Sequence, residues 1–280
     1  MLSGIFDLSF HLGPLAISPH LVFESLAYLV AFEVYRRQRR TAGDFLPASA
    51  RSSVIVAAIV GAALGSKILG WLEDPLDTLA HWRDPAYLMG GKTIVGALLG
   101  GTLAVEWTKA RMGLRRRTGD LFALPLVTGI AIGRIGCFLA GLRDRTFGTP
   151  TALPWGVDFG DGIRRHPTQL YEVAALLALG WLLRRMGRQP HREGDLFRAF
   201  LTAYMAWRLA VDFLKPEPRL AGLTAIQWCA AAALAWYWRD IAALLAPRKH
   251  EGPGGGPPGT AELRRPPLAR VPGKEAAAHG

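Results

Sequence analysis

Cysteine is scarce in this chain: 280 residues contain two, Cys137 and Cys229, each inside an apolar stretch. Two isolated thiols exclude a disulfide framework and supply no ligand spacing for a metal, so no metal site is expected. Lysine and arginine are missing from residues 1–19. The positive start of a cleavable signal peptide is therefore lacking, and the first apolar run is expected to stay as a membrane helix. Solenoid-type repeats are absent, and so is amphipathic periodicity: the apolar residues gather into unbroken runs. Seven runs, at roughly 19–36, 52–71, 87–107, 119–141, 167–186, 196–214 and 222–246, are long enough to cross a bilayer core as helices. The expected fold is an all-α integral membrane protein with seven transmembrane helices.

The formal net charge is +11, which by itself invites a nucleic-acid partner. Its placement excludes one. If the runs alternate across the membrane from an outer N-terminus, one side receives the clusters at Arg36–Arg40, Arg115–Arg117 and Arg184–Arg192. The other side keeps scattered cations such as Arg83, Arg143, Arg164, Arg165, Lys215 and Arg219. This asymmetry follows the positive-inside rule and predicts an outer N-terminus and a cytoplasmic C-terminus. Residues 1–18 read as an outer lead-in lying on the surface. Residues 1–246 form the membrane domain. Turn-forming Gly148, Pro150, Pro154, Gly156 and Gly162 mark an ordered outer loop or cap at about 142–166. Residues 247–280, rich in proline and glycine, read as a disordered cytoplasmic tail.

Glycines four apart, Gly61 with Gly65, Gly96 with Gly100 and Gly129 with Gly133, share helix faces and suit close helix packing. The pairs Gly90–Gly91 and Gly100–Gly101, around Lys92 and Thr93, are expected to break or kink the third run beside a cavity. Ionisable residues inside spans are costly and mark function. Arg134 is the foremost, in the middle of an apolar run between Gly133 and Gly136. Arg208 and Asp212, four apart, share a helix face with Tyr204 and can pair. Glu24 lies in the first run, and Lys67 sits where its side chain can snorkel outward. At the outer mouth of the fifth run, His166, Gln169 and Glu172 follow Arg164 and Arg165. Together these residues describe an outward-opening polar cavity lined by guanidinium groups, and arginine suits bidentate grip of phosphate. A phosphate held at headgroup level points to a phospholipid.

Three motifs in this order among the runs carry a resemblance. They are Gly133-Arg-Ile-Gly136 with Phe138 and Gly141, then Arg165-His-Pro-Thr-Gln-Leu-Tyr-Glu172, then Tyr204, Arg208 and Asp212 at four-residue spacing. A weaker fourth runs from Gly90 to Gly100. The chain resembles the bacterial prolipoprotein diacylglyceryl transferases over about residues 20–245. The resemblance implies a multi-pass inner-membrane enzyme, expected to be monomeric. Such an enzyme moves the diacylglyceryl group of phosphatidylglycerol onto the lipobox cysteine of prolipoproteins, without a cofactor. It implies catalytic roles for Arg134, Arg208, Asp212 and Glu24. Substrate contacts are implied for Gly133, Gly136, Cys137, Lys92, Thr93, His166, Gln169, Glu172 and Tyr204. Several positions depart from the family pattern. Val95 stands where the family has a histidine, Cys137 and Ala140 replace asparagines, Leu142 replaces a glutamate that Asp144 can supply in a shifted register, and Glu24 replaces a tyrosine. Thiol activation thus falls to Glu24, Lys92, Asp212 or His166. Two other readings remain compatible with these residues: a phospholipid-dependent transferase with another acceptor, and a non-enzymatic phospholipid- or anion-binding membrane protein.

Overall fold

A computed structural model describes residues 10–12, 15–43 and 48–245; the tail expected at 247–280 lies outside them. A short antiparallel pair, β1 (Phe10–Leu12) and β2 (Leu15–Ile17), sets Phe10 opposite Ile17 in the lead-in. Helix α1 (Pro19–Ala42) follows. Its first turn is fixed by Pro19 and by the Ser18 hydroxyl, which accepts from the Leu21 amide. Helix α2 (Ala48–Glu73) leads into two short helices, α3 (Pro75–Ala80) and α4 (Pro85–Met89), capped by Asp74 and Asp84. Then come α5 (Ile94–Arg111), α6 (Asp120–Leu139), α7 (Thr168–Gly187), α8 (Asp195–Val211), α9 (Ala225–Trp236) and α10 (Trp238–Leu245). Between α6 and α7, β3 (Val157–Asp158) pairs antiparallel with β4 (Arg164–Arg165). The protein is mostly helical, with little strand.

Helices α2 and α6 are long and apolar enough to cross a membrane on length and composition alone. The other long helices carry the buried or terminal charges that lower their hydropathy. The surface supplies a second line of argument. Leu29, Ile59, Leu103 and Leu177 are each more than 60% exposed, at 69%, 64%, 71% and 65%. Apolar side chains this exposed on α1, α2, α5 and α7 have no stable place in water and suit lipid. Arg111 over Trp107, Arg185 over Trp181 and Arg239 over Trp238 stack as cation–π pairs near helix ends, the composition of a membrane–water interface.

Small residues let the helices meet. A Cβ on Gly65 would lie 2.3 Å from the Gly96 carbonyl oxygen, and one on Gly100 would lie 2.3 Å from that of Gly61. Thus α2 and α5 touch backbone to backbone along both glycine pairs. The third pair divides. Gly129 packs on Ala31 of α1, whereas a Cβ on Gly133 would meet nothing within 4 Å. Gly133 is therefore not a packing glycine, although its spacing suggested one; Gly136, packed on Phe23, takes that part.

Two runs are interrupted, the third where the pair Gly90–Gly91 is expected to break it. The third is not one helix from 87 to 107. Gly91 has φ +49°, in the left-handed region, and the chain from Gly90 to Thr93 is non-helical before α5 begins. Lys67 of α2 lies against this break. Its Nζ donates to the carbonyls of Met89 and Gly90 that this break frees. Gly100 and Gly101, by contrast, lie in unbroken helix. The seventh run divides at Tyr237 into α9 and α10. Helix α9 starts with a capping box of Thr224 and Gln227, and the Gln227 amide also donates to the Leu209 carbonyl of α8. At the basic end of the bundle the Asp120 carboxylate accepts from the amides of Gly194 and Phe197, fastening α6 to the start of α8.

Candidate active site

The Arg134 run that began as an anomaly is where three helices exchange charge. Arg134 of α6 is 6% exposed, and its Nε lies 2.9 Å from Oε2 of Glu172 on α7. The other Glu172 oxygen accepts a 2.5 Å hydrogen bond from the Tyr204 hydroxyl of α8. One turn further along α8, Nη2 of Arg208 donates to both oxygens of Asp212, at 2.7 and 3.0 Å. Glu172, Tyr204, Arg208 and Asp212 are each 2% exposed or less. Asp212 opens a 3-10 turn that ends α8, which turns its carboxylate back onto Arg208. Burying charges costs several kcal/mol apiece, and pairing restores only part of that cost.

Neither guanidinium is saturated. The Arg134 Nε contact with Glu172 is close but off the N–H direction, and Nε of Arg134 and of Arg208 both lack a hydrogen-bonded acceptor. A Cβ on Gly133, the chain neighbour of Arg134, would meet nothing within 4 Å. Cationic donors with unused capacity, in a medium of low dielectric, are suited to an oxyanion. Two cavities, of about 420 and 460 Å³, are both lined by Arg117 and Thr118, and neither Arg134 nor Arg208 lines them.

A second cluster forms where α1 crosses the end of α6. Glu24 Oε1 receives Lys92 Nζ and the Tyr28 hydroxyl, both at 3.3 Å. Its Oε2 is 3.6 Å from His20 Nε2, and His20 Nδ1 is 3.1 Å from Asp144 Oδ1. Cys137 Sγ lies 3.9 Å from His20 Nδ1 and 4.0 Å from Arg134 Nη1. Asp144 also accepts from Thr146, whose hydroxyl accepts from the Gln169 amide at 3.1 Å. The chain of contacts therefore runs from Lys92 through Glu24, His20, Asp144 and Thr146 to α7.

The remaining residues are placed apart from these contacts. Thr93 is buried; it caps α5 by accepting from the Gly96 amide and donates to the Ser66 carbonyl, a structural use. His166 meets the Tyr171 hydroxyl at 3.2 Å, and that hydroxyl also accepts from Trp155. Val95 is fully buried in the apolar core. The β3–β4 hairpin rests on the end of α6 through Phe159, which contacts Phe138 and Phe147. Arg165 lies over Phe147 and grips both oxygens of Asp161 at 2.7 Å.

Two participants escaped the sequence reading. His20 carried a signal, its four-residue spacing to Glu24 at the start of α1. Lys215 was counted with the outer surface charges but is 7% exposed. Its burial, with Arg208 and Arg134 nearby, holds its pKa below the usual lysine range.

Comparison with known proteins follows the same residues. The family model described as prolipoprotein diacylglyceryl transferase matches residues 7–238. The phosphatidylglycerol–prolipoprotein diacylglyceryl transferase of Cupriavidus pinatubonensis is 32% identical over 241 residues, 77% of this chain and 81% of its own length. That of Bordetella bronchiseptica is 30% identical over 256 residues, 84% of this chain and 90% of its own. That of Geobacter sulfurreducens is 29% identical over 228 residues, 77% and 84% respectively. With its buried arginines inside the matched span, the chain belongs to the prolipoprotein diacylglyceryl transferase family.

Proposed function

We propose that this protein transfers the diacylglyceryl group of phosphatidylglycerol to the lipobox cysteine thiol of prolipoproteins. The observation that carries the reading is the pair of buried arginines, Arg134 and Arg208, each held by one carboxylate and each with donor capacity left over. In the reaction the sulfur forms a bond to the glycerol carbon, the carbon–oxygen bond to phosphate breaks, and glycerol phosphate leaves with the electron pair. The thiol proton passes to a base. Negative charge gathers on the departing phosphate, and charged donors already fixed in place stabilise it without reorganising. Arg134 and Arg208 serve as those donors. Glu172, Tyr204 and Asp212 orient them, and Gly133 admits the headgroup. Glu24 and Lys92 lie at the mouth with Cys137, where the acceptor thiol enters.

In this reading the chain crosses the bacterial inner membrane seven times as a monomer, with its N-terminus outside and the Arg115–Arg117 side in the cytoplasm. The β3–β4 cap then covers the outer face. The surface-exposed apolar side chains and the one-sided arginine clusters support it. The decisive assay incubates purified protein with labelled phosphatidylglycerol and a lipobox peptide. A thioether-linked diacylglyceryl peptide with stoichiometric glycerol phosphate is expected. Absence of product with wild-type protein, while a relative works in the same micelles, overturns the reading.

A further inference from the structure

The departures from the family pattern converge on one point. Cys137 comes from α6, Asp144 from the 3-10 turn Gly141–Asp144 that follows it, and His20 from α1. The two helices are locked together there by the contact of Gly136 with Phe23. Sγ of Cys137, one ring nitrogen of His20 and a carboxylate oxygen of Asp144 all lie within 4.8 Å of one another.

Two chemistries use cysteine, histidine and aspartate together, and the ring orientation separates them. In a nucleophilic triad the thiol and the carboxylate face opposite ring nitrogens. Here both face Nδ1, at 3.9 and 3.1 Å, while Nε2 faces Glu24 at 3.6 Å. One nitrogen aimed at a thiol and a carboxylate, with the other turned toward a second carboxylate, is the habit of a metal-bound histidine. Ligand atoms around a four-coordinate zinc stand about 3.3–3.6 Å apart, between the 3.1 and 3.9 Å that separate His20 Nδ1 from Asp144 and Cys137. Asp144 uses its Oδ2 to accept from Thr146 and keeps Oδ1 toward the centre. Glu24 is itself steadied by Lys92 and Tyr28.

We propose that Cys137 Sγ, His20 Nδ1 and the Asp144 carboxylate form a binding site for a zinc-class divalent cation, with Glu24 orienting His20. The thiolate and carboxylate neutralise the two charges of the ion, and sulfur with nitrogen selects zinc over calcium or magnesium. On binding, the S–H bond breaks, the sulfur–metal bond forms and the proton leaves to solvent. The side chain of His20 is 37% exposed and that of Asp144 18%, so water has access to a fourth position. The site does not depend on the transferase reading, because its occupancy is measured without lipid or peptide.

The test titrates the full chain in detergent with Co²⁺ as a spectroscopic stand-in. One equivalent is expected to bind with a thiolate-to-cobalt absorption band that Zn²⁺ then abolishes. Cys229→Ser keeps the band. Cys137→Ser and, independently, His20→Ala lose it and weaken Zn²⁺ binding by about tenfold or more, whereas Glu24→Gln keeps the band with affinity lower by about 10- to 100-fold. His20→Ala, on the half-exposed start of α1, guards against a folding failure in the cysteine variant. No uptake of Co²⁺, uptake without the band, or a band that survives Cys137→Ser overturns the proposal.

Discussion

One carboxylate, Glu172, joins Tyr204 to Arg134 across three helices, accepting the tyrosine hydroxyl at 2.5 Å while Arg134 Nε lies 2.9 Å from its other oxygen. Glu172→Gln therefore leaves a buried guanidinium without its counter-charge. Breaking one side of a buried ion pair costs about 3–5 kcal/mol. Tyr204→Phe removes a single hydrogen bond to a charged group, worth about 1.5–3 kcal/mol. Reversible unfolding in mixed micelles should rank Glu172→Gln as the more destabilising. Equal and negligible losses would show that the pair adds nothing to the fold.

Arg208 separates charge from geometry. Lysine in its place keeps a cation and can still reach Asp212, which takes both contacts from Nη2 alone at 2.7 and 3.0 Å, but it loses the planar guanidinium and the Nε–H that has no acceptor. If Arg208 stabilises the departing phosphate, Arg208→Lys lowers kcat by about 100- to 1000-fold, the usual effect of losing one oxyanion donor. The KM for phosphatidylglycerol should change much less. A rise in KM with kcat preserved would instead give Arg208 a part in ground-state binding alone.

These residues differ in how visible they were beforehand. Arg134 and Arg208 stand out because a charge within an apolar run is a local anomaly, readable without any contact. The α2–α5 seam was legible for the same reason, since spacing of four fixes a helix face. The spacing of Gly129 and Gly133 is identical, yet only Gly129 meets a neighbour; which helix lies opposite is not a local property. His20 and Asp144 are 124 positions apart and acquire meaning only when α1 crosses the end of α6. Lys215 misled in the opposite sense: a charge after a span reads as surface, but the chain folds it back toward the arginines. The break before α5 was visible in Gly90 and Gly91. Its stabilisation by Lys67 was not, because that contact joins α2 to a backbone carbonyl rather than to a side chain.

The β3–β4 cap should loosen in acid. Hydrogen bonding from Arg165 holds Asp161 at a pKa of about 2, below the ordinary 3.8. The folded value is the lower one. The pair therefore favours the ordered cap at every pH above 3.8, and this contribution is lost as the pH falls through about 2. Amide exchange at Asp158 and Arg164, which are paired across the hairpin, should quicken over that window in wild-type protein. Asp161→Asn should exchange fast throughout and show no inflection there. A wild-type profile as flat as the variant's would mean that the ion pair does not hold the cap.

Two glycines make opposite predictions from the same substitution. A Cβ at Gly65 would sit 2.3 Å from the Gly96 carbonyl and 2.9 Å from the Gly100 Cα. Both obstacles are backbone, so α2 and α5 must separate, at a cost of about 1–3 kcal/mol or more. At Gly133 the same methyl meets nothing within 4 Å, so Gly133→Ala should unfold like wild type. Its effect belongs to the substrate: a methyl beside Arg134 occupies the space through which a phosphate would approach, and kcat/KM should fall while stability holds. Unfolding midpoints and initial rates on the two variants give the comparison directly. If Gly133→Ala keeps full activity, the open space at Gly133 is not where the headgroup enters.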